Sequence, residues 1–221
     1  MRYDNITKGI FRNRLNRFVA EVEVKGVTER VHVKNTGRCK ELLIPGCDVW
    51  LTAPGTPDRK TKYDLVSVRK GNGGIFNIDS QAPNKVMKEW LAGQDYDRVL
   101  PEYTFGDSRI DFYMEKRTGD GTVDKYLMEV KGCTLEIDGT GYFPDAPTVR
   151  GVKHIRELIK AQETGYHAVL AFVIQMNGVH EVRPNTATHP EFGIAMEDAK
   201  AAGVEIRFME CLVEPDRLEI I

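Results

Sequence analysis

Cysteine is scarce in this sequence, and none of it is placed for a shared task. Four occur in 221 residues, Cys39, Cys47, Cys133 and Cys211. With no C-x-x-C pair and no histidine at zinc spacing, they exclude a disulfide framework and a zinc knuckle and read as reduced thiols. Long apolar runs are also missing: none approaches the roughly 18 residues of a membrane-spanning helix. The opening Met1-Arg2-Tyr3-Asp4-Asn5 lacks the apolar stretch of a signal peptide. A cytoplasmic protein with no membrane partner is therefore expected. The cluster Gly71-Asn72-Gly73-Gly74 lacks the Gly-Lys-Ser/Thr and helix that complete a phosphate-cradling loop, and reads as a loop or hairpin connection. Internal repeats and low-complexity segments are absent.

Net charge is also small, −2, but it conceals an uneven distribution. Residues 1–80 carry 15 Lys and Arg against 9 Asp and Glu, a net of +6, which leaves −8 for residues 81–221. A basic module suits a polyanion, because Lys and Arg neutralise phosphates; clustered carboxylates in an acidic module suit a divalent cation. An imbalance of this size also arises with no functional meaning. The length fits one large domain or two small ones, and the charge shift divides the chain into 1–80 and 81–221.

The first 80 residues read as short strands between turns. Phe18, Ala20, Val22 and Val24 alternate with Val19, Glu21 and Glu23, the pattern of a half-buried strand. Further strands are expected over Arg30–Lys34, Asp48–Thr52 and Tyr63–Lys70, separated by Asn35-Thr36-Gly37, Ile44-Pro45-Gly46 and Ala53-Pro54-Gly55. Short strands in this span suit a small five-stranded barrel of the OB type, whose exposed face binds oligonucleotides. Arg12, Arg14, Arg17, Arg38 and Lys40 are the candidate nucleic-acid contacts, although a solvated strand face carries such residues as well. A helix over about Asn84–Ala92, burying Val86, Trp90 and Leu91, opens the second domain. A hairpin follows, Arg109–Glu115 and Lys125–Lys131 joined by Thr118-Gly119-Asp120-Gly121. Next come an amphipathic helix over about Arg150–Gly165 and an apolar strand over His167–Gln175. The former sets Val152, Ile155, Leu158 and Ile159 against Lys153, Arg156, Glu157 and Lys160. A helix over Glu191–Ala202 and a strand over Val204–Cys211 complete an α/β domain with a mixed sheet.

The hairpin carries the chemistry. Asp111 is expected on the side opposite Ile110 and Phe112, while Glu129 and Lys131 are two apart and so share a face. In register, Asp111 lies beside Glu129, and adjacent carboxylates repel unless a cation sits between them. Mg²⁺ (or Mn²⁺), a hard ion held by one or two carboxylates together with waters and phosphates, fits that place. Lys131 can then offset charge building on a phosphorus centre, so the set reads as phosphodiester hydrolysis. Glu102, just after Pro101, is the additional acidic candidate for the metal. On spacing alone, a cross-strand ion pair on a solvated surface accounts for Glu129 and Lys131 equally well.

Three segments in order add context: Ser108-Arg109-Ile110-Asp111-Phe112, Met128-Glu129-Val130-Lys131-Gly132-Cys133-Thr134-Leu135, and Phe143-Pro144-Asp145-Ala146-Pro147-Thr148-Val149-Arg150-Gly151-Val152-Lys153-His154-Ile155-Arg156-Glu157-Leu158. With Asn16-Arg17-Phe18-Val19-Ala20, Val33-Lys34-Asn35-Thr36-Gly37-Arg38 and Leu42-Leu43-Ile44-Pro45-Gly46, the chain resembles the sugar fermentation stimulation protein A (SfsA) family over nearly its whole length. The resemblance implies an N-terminal OB-fold domain joined to a C-terminal PD-(D/E)xK nuclease fold, whose motif falls on Asp111, Glu129 and Lys131. It also implies non-sequence-specific DNA binding. Arg150, Lys153 and His154 follow the Pro-Asp-Ala turn and are further candidates for DNA contact, although a lone helical histidine is more often a surface or capping residue. The alternative is a non-catalytic DNA-binding regulator of sugar (maltose) metabolism. An oligosaccharide-binding protein fits the basic N-terminal half poorly. A homodimer is expected if both strands of a duplex are cut.

Overall fold

The computed structural model describes residues 1–35, 37–55, 59–71 and 73–221. Thr36 and Asn72, each within a turn expected above, lie outside the described residues. The N-terminal strands are β1 (Thr7–Arg14), β2 (Val19–Val24), β3 (Val27–Val33), β4 (Asp48–Thr52), β5 (Asp64–Arg69) and β6 (Ile75–Asn77). β1 pairs antiparallel with both β2 and β4, and β3 reaches β5 in parallel through His32↔Asp64 and Val33↔Leu65. These pairings close the first five strands into a barrel, with β6 extending β5. Closure removes the exposed edges of an open sheet.

Inside the barrel, Ala20, Val22 and Val24 of β2 pack with Phe11, Val31, Val49 and Leu65, all buried. Phe18, expected on the same face, is instead 49% exposed. The reason is local: Asn16 Oδ1 accepts from the backbone N–H groups of Phe18 and Val19 at 2.9 and 3.0 Å, so the chain is still turning at Phe18 and the strand begins one residue later.

The C-terminal part contains α1 (Ala82–Ala92), β7 (Arg98–Phe105), β8 (Ser108–Arg117), β9 (Val123–Cys133), β10 (Leu135–Ile137), β11 (Thr140–Phe143) and α2 (Val149–Glu163). It continues with β12 (His167–Ile174), β13 (Val182–Pro184), α3 (Pro190–Ala201), β14 (Glu205–Met209), β15 (Cys211–Glu214) and β16 (Arg217–Ile220). Its main sheet has the order β14-β12-β9-β8-β7. β7, β8 and β9 form an antiparallel meander, and β9, β12 and β14 run parallel. The chain crosses from β9 to β12 by way of α2, as a parallel pair requires. α1 covers one face, placing Val86, Met87 and Leu91 against Phe112, Met128 and Val169. α2 and α3 cover the other, with Ile155, Leu158, Phe192 and Ala195 against Leu127, Leu170 and Phe172.

Two details depart from the expected pattern. Ile110 packs in the α2-side core and Phe112 in the α1-side core, although strict alternation puts them on one face. The ladder explains this: β7 and β8 pair at Pro101↔Phe112 and Tyr103↔Ile110 but skip the position between, where Glu102 has a positive φ of 54°. Glu157, expected in solvent, is buried beneath the β7–β8 turn and bridged by Lys160 at 2.8 Å.

The two parts are joined by buried polar contacts. Gln175 Nε2 donates to Asn77 Oδ1 at 2.9 Å, and Asn77 N donates to Gln175 O at 2.9 Å. The first residues leave the barrel altogether: Arg2 bridges to Arg217, and Tyr3 N donates to Asp216 O at 2.8 Å. All four cysteines are free thiols; burial raises Cys39, Cys133 and Cys211 to about 12, so they are unreactive packing residues. Among the described residues, no helix is long and apolar enough to cross a membrane.

Candidate active site

The β8/β9 ladder runs to Phe112↔Met128 and then ends, which places Asp111 one step further, level with Glu129. Freed from the ladder, the N–H of Val130 donates instead to Asp111 Oδ2 at 2.8 Å. Asp111 Oδ1 accepts from Asn84 Nδ2, in the first turn of α1, at 2.6 Å. Asp111 is thus fixed by a strand on one side and a helix on the other.

Glu129 is 2% exposed and carries most of the local charge. Its Oε1 receives both Lys131 Nζ, two residues along β9, and Nδ1 of His154 from α2. Arg150 Nε approaches His154 Nε2 at 3.3 Å. Arginine cannot accept, so Nε2 is the imidazole's acceptor and the ring proton sits on Nδ1, directed at Glu129. The other oxygen, Glu129 Oε2, is buried with no hydrogen-bond partner among the described residues. An ionised carboxylate oxygen held away from water with nothing to accept from is costly unless a cation or an ordered water meets it.

The two carboxyl groups are pushed in opposite directions. Burial, then the nearby Glu129 charge, raises Asp111 above its usual range against the donors of Val130 and Asn84. Burial acts to raise Glu129 as well, but the hydrogen bond from His154 and the Lys131 ammonium outweigh it and hold Glu129 low. Glu129 is thus ionised beside an Asp111 that resists ionising, an arrangement whose burial and shared negative charge a cation would offset.

The remaining sequence candidates separate clearly. Glu102 and Asp111 both fall at the position that the β7/β8 pairing skips, and the Glu102 side chain is 68% exposed and meets Arg109 at 3.6 Å. The structure does not bring it to the carboxylate pair, and among the described residues no group of three or more His, Cys, Asp or Glu side chains is arranged to hold a metal. His154 is buried rather than offered to DNA, because Gly151, His154, Ile155 and Leu158 form the inward stripe of α2. Arg150 and Lys153 remain on the exposed side, with Lys153 Nζ donating to Asp107 O at 2.9 Å. Asn84 was not singled out by its sequence; its position behind Pro83 at the start of a helix that packs on β9 is the available signal.

In the barrel, Arg14, Arg17, Arg38 and Lys40 come together around a cleft of about 410 Å³, whereas Arg12 pairs with Glu23 at 2.5 Å. Arg14 serves the loop itself: its guanidinium donates to the carbonyls of Gly37, Arg38, Arg17 and Asn35 at 2.6–2.9 Å. Arg14→Ala is therefore expected to lower stability by roughly 2 kcal/mol or more. The exposed Arg17→Ala stays within about 0.5 kcal/mol. Urea unfolding of both variants measures the contrast.

Comparison with known proteins places this geometry in a family. Residues 81–217 match the model described as the sugar fermentation stimulation protein RE domain, and residues 13–77 match the SfsA N-terminal OB domain. The chain belongs to the SfsA family. A sugar fermentation stimulation protein homolog of Desulfitobacterium hafniense is 50% identical over 99% of this chain and 95% of its own. A homolog of Ruminiclostridium cellulolyticum is 49% identical over 100% and 96%. Among solved structures, SfsA of Pyrococcus furiosus, described as a complex with Ca²⁺, superposes with a TM-score of 0.83 at 31% identity, covering 100% of this chain and 96% of that one. This SfsA-family chain thus joins an OB barrel to a restriction-endonuclease-like α/β domain, and the Asp111–Glu129–Lys131 group lies in the latter.

Proposed function

We propose that this SfsA-family protein is a Mg²⁺-dependent phosphodiesterase that cuts DNA without sequence preference. The observation that carries the reading is the buried Oε2 of Glu129, without a partner among the described residues, together with the neighbouring Asp111, a carboxylate whose pKa is raised. A hard divalent cation fits these donors, which are all oxygen, and with two carboxylates present it would take its other ligands from water and phosphate, as Mg²⁺ commonly does. The solved relative from Pyrococcus furiosus, described with Ca²⁺, supports a divalent ion of this class. Asp111 and Glu129 would hold it, and when bound it would supply Lewis-acid stabilisation of charge on the phosphodiester.

The chain's own groups divide the remaining work. Lys131, 13% exposed, keeps an ammonium at the edge of the site, where it can turn from Glu129 to a substrate oxygen. His154 holds Glu129 in one orientation through its Nδ1 proton, and Asn84 does the same for Asp111. The net +6 of residues 1–80 supplies a sequence-independent grip on phosphates. The test is a cleavage assay on single-stranded, duplex and branched DNA with Mg²⁺ or Mn²⁺. Cutting that needs the cation and disappears in Asp111→Ala, Glu129→Ala and Lys131→Ala, with binding retained, is the expected result. Salt-sensitive binding with no cutting on any substrate would instead mark a DNA-binding regulator.

A further inference from the structure

We propose that the barrel grips one strand of nucleic acid at the rim formed by Arg17, Phe18, Arg38 and Lys40, so that the substrate is single-stranded. The inference rests on the phosphodiesterase reading for its consequence but on the barrel for its evidence. Single-strand binding by a protein needs cations along a backbone track and an apolar ring on which a base can stack. Both are present at the turn between β1 and β2. Phe18 is 49% exposed and Leu15 is 42% exposed, flanking Asn16 and Arg17. Across the cleft stand Arg38 and Lys40, and among the described residues the cations of Arg17, Arg38 and Lys40 have no acidic partner at ion-pair distance. Other cations of the barrel are paired: Lys8 with Asp48 at 2.8 Å, Lys34 with Asp79 at 2.9 Å and Arg12 with Glu23 at 2.5 Å. The rim thus sets three cations without acidic partners among the described residues beside the exposed Phe18 ring.

From Phe18 the surface continues towards the C-terminal domain. Phe18 shares a cleft with Asn35 and Ser80, and those two residues also line a second crevice with Pro83, Gly132 and Asp145. Gly132 faces α1 with Val130, whereas Glu129 and Lys131 face α2, so the crevice passes beside the carboxylate pair on the other face of β9. The exposed Phe18 ring decides between one strand and two, because only a base outside a duplex stack offers it a face. A Cβ on Gly132 would come within 2.6 Å of Pro83 Cγ, which shows how closely β9 approaches α1. The crevice encloses about 100 Å³. Asp145 keeps a carboxylate in this crevice, with its Oδ2 accepting from the backbone N–H of Arg38 at 3.0 Å, so the phosphates are held at the cationic rim and not within the crevice.

The test uses fluorescence anisotropy of the full chain in EDTA, with a labelled oligothymidylate and a duplex of the same length, at several salt concentrations. The single strand is expected to bind more tightly than the duplex. Phe18→Ala should weaken single-strand binding by roughly five- to 150-fold, and Phe18→Trp should restore it. Arg17→Ala should lower the slope of log affinity against log salt by about one. Equal or tighter binding of the duplex, or no effect of Phe18→Ala on the single strand in a variant that melts like the wild type, overturns the proposal. Because no cation is present, a protein that fails to cut leaves these results standing. Conversely, cation-dependent cutting confined to duplexes would overturn single-strand selection while leaving the carboxylate site in place.

Discussion

Glutamine in place of Glu129 is expected to reduce Mg²⁺-dependent cleavage by roughly 10³-fold or more, the scale on which an oriented charge at a reacting phosphoryl group acts. The substitution preserves shape, so the loss reports charge. Glu129 Oε1 already holds Lys131 and His154, and Oε2 alone is left for a cation; a neutral amide offers one weak oxygen where two negative ones stood. The same geometry fixes a pH dependence. Glu129 is held below its ordinary value and is ionised across the neutral range, while Asp111 is raised and must lose its proton before it can hold a cation. Activity should therefore fall on the acid side as pH drops through the raised Asp111 value, above the range of an ordinary aspartate. A kcat/KM profile of the wild type measures this limb. The metal-free fold behaves in the opposite sense at this residue: protonated Asp111 favours it, and that contribution is lost as pH rises through the raised pKa.

His154→Ala should damage both stability and activity. The ring is 6% exposed and donates to a carboxylate that is 2% exposed, so truncation removes a charge-assisted hydrogen bond and leaves a cavity. With Lys131 still in place, a cost of roughly 2–4 kcal/mol is expected. In a chain of this size, that lowers the melting temperature by about 4–16 °C. Because the histidine orients a cation-holding group, affinity for the ion or cleavage should fall about 10- to 100-fold. His154→Gln, which can still donate towards Glu129, should recover part of the cation affinity. Calorimetric titration with Ca²⁺ separates this role from packing alone, since a merely space-filling histidine would be rescued by Leu and not by Gln.

The carboxylate pair was legible in the sequence because a hairpin with strong alternation and a Thr-Gly-Asp-Gly turn sets its own register, and register brings Asp111 level with Glu129. The same reasoning mislaid Ile110 relative to Phe112, because a skipped pairing position in β7/β8 breaks the alternation and nothing in Ser108–Phe112 announces it. β7 itself was not anticipated: Pro101 interrupts the strand pattern and is tolerated because β7 is the sheet edge. β1 was hidden for a similar reason, with Gly9, Arg12, Asn13 and Arg14 obscuring its apolar side. The role of His154 was available in its spacing from Gly151, Ile155 and Leu158, which puts it on the inward stripe of α2, but a lone histidine does not say which carboxylate it will meet. Phe18 and Arg14 show the reverse failure. Alternation put the ring inside and composition put the guanidinium on a ligand, whereas an Asn16 turn exposes the ring and four loop carbonyls hold the guanidinium.

The most direct test of a cation between Asp111 and Glu129 is thermal unfolding under Ca²⁺ titration, comparing the wild type with Asp111→Asn. Without the ion, removing the repelling charge should raise the melting temperature of the variant by a few degrees, about 2–4 °C for each kcal/mol gained. With the ion, the wild type should gain about 2.7 kcal/mol at a hundred times its dissociation constant, and the variant should not respond. A variant that melts below the wild type without Ca²⁺ and keeps the full response to it would contradict the account.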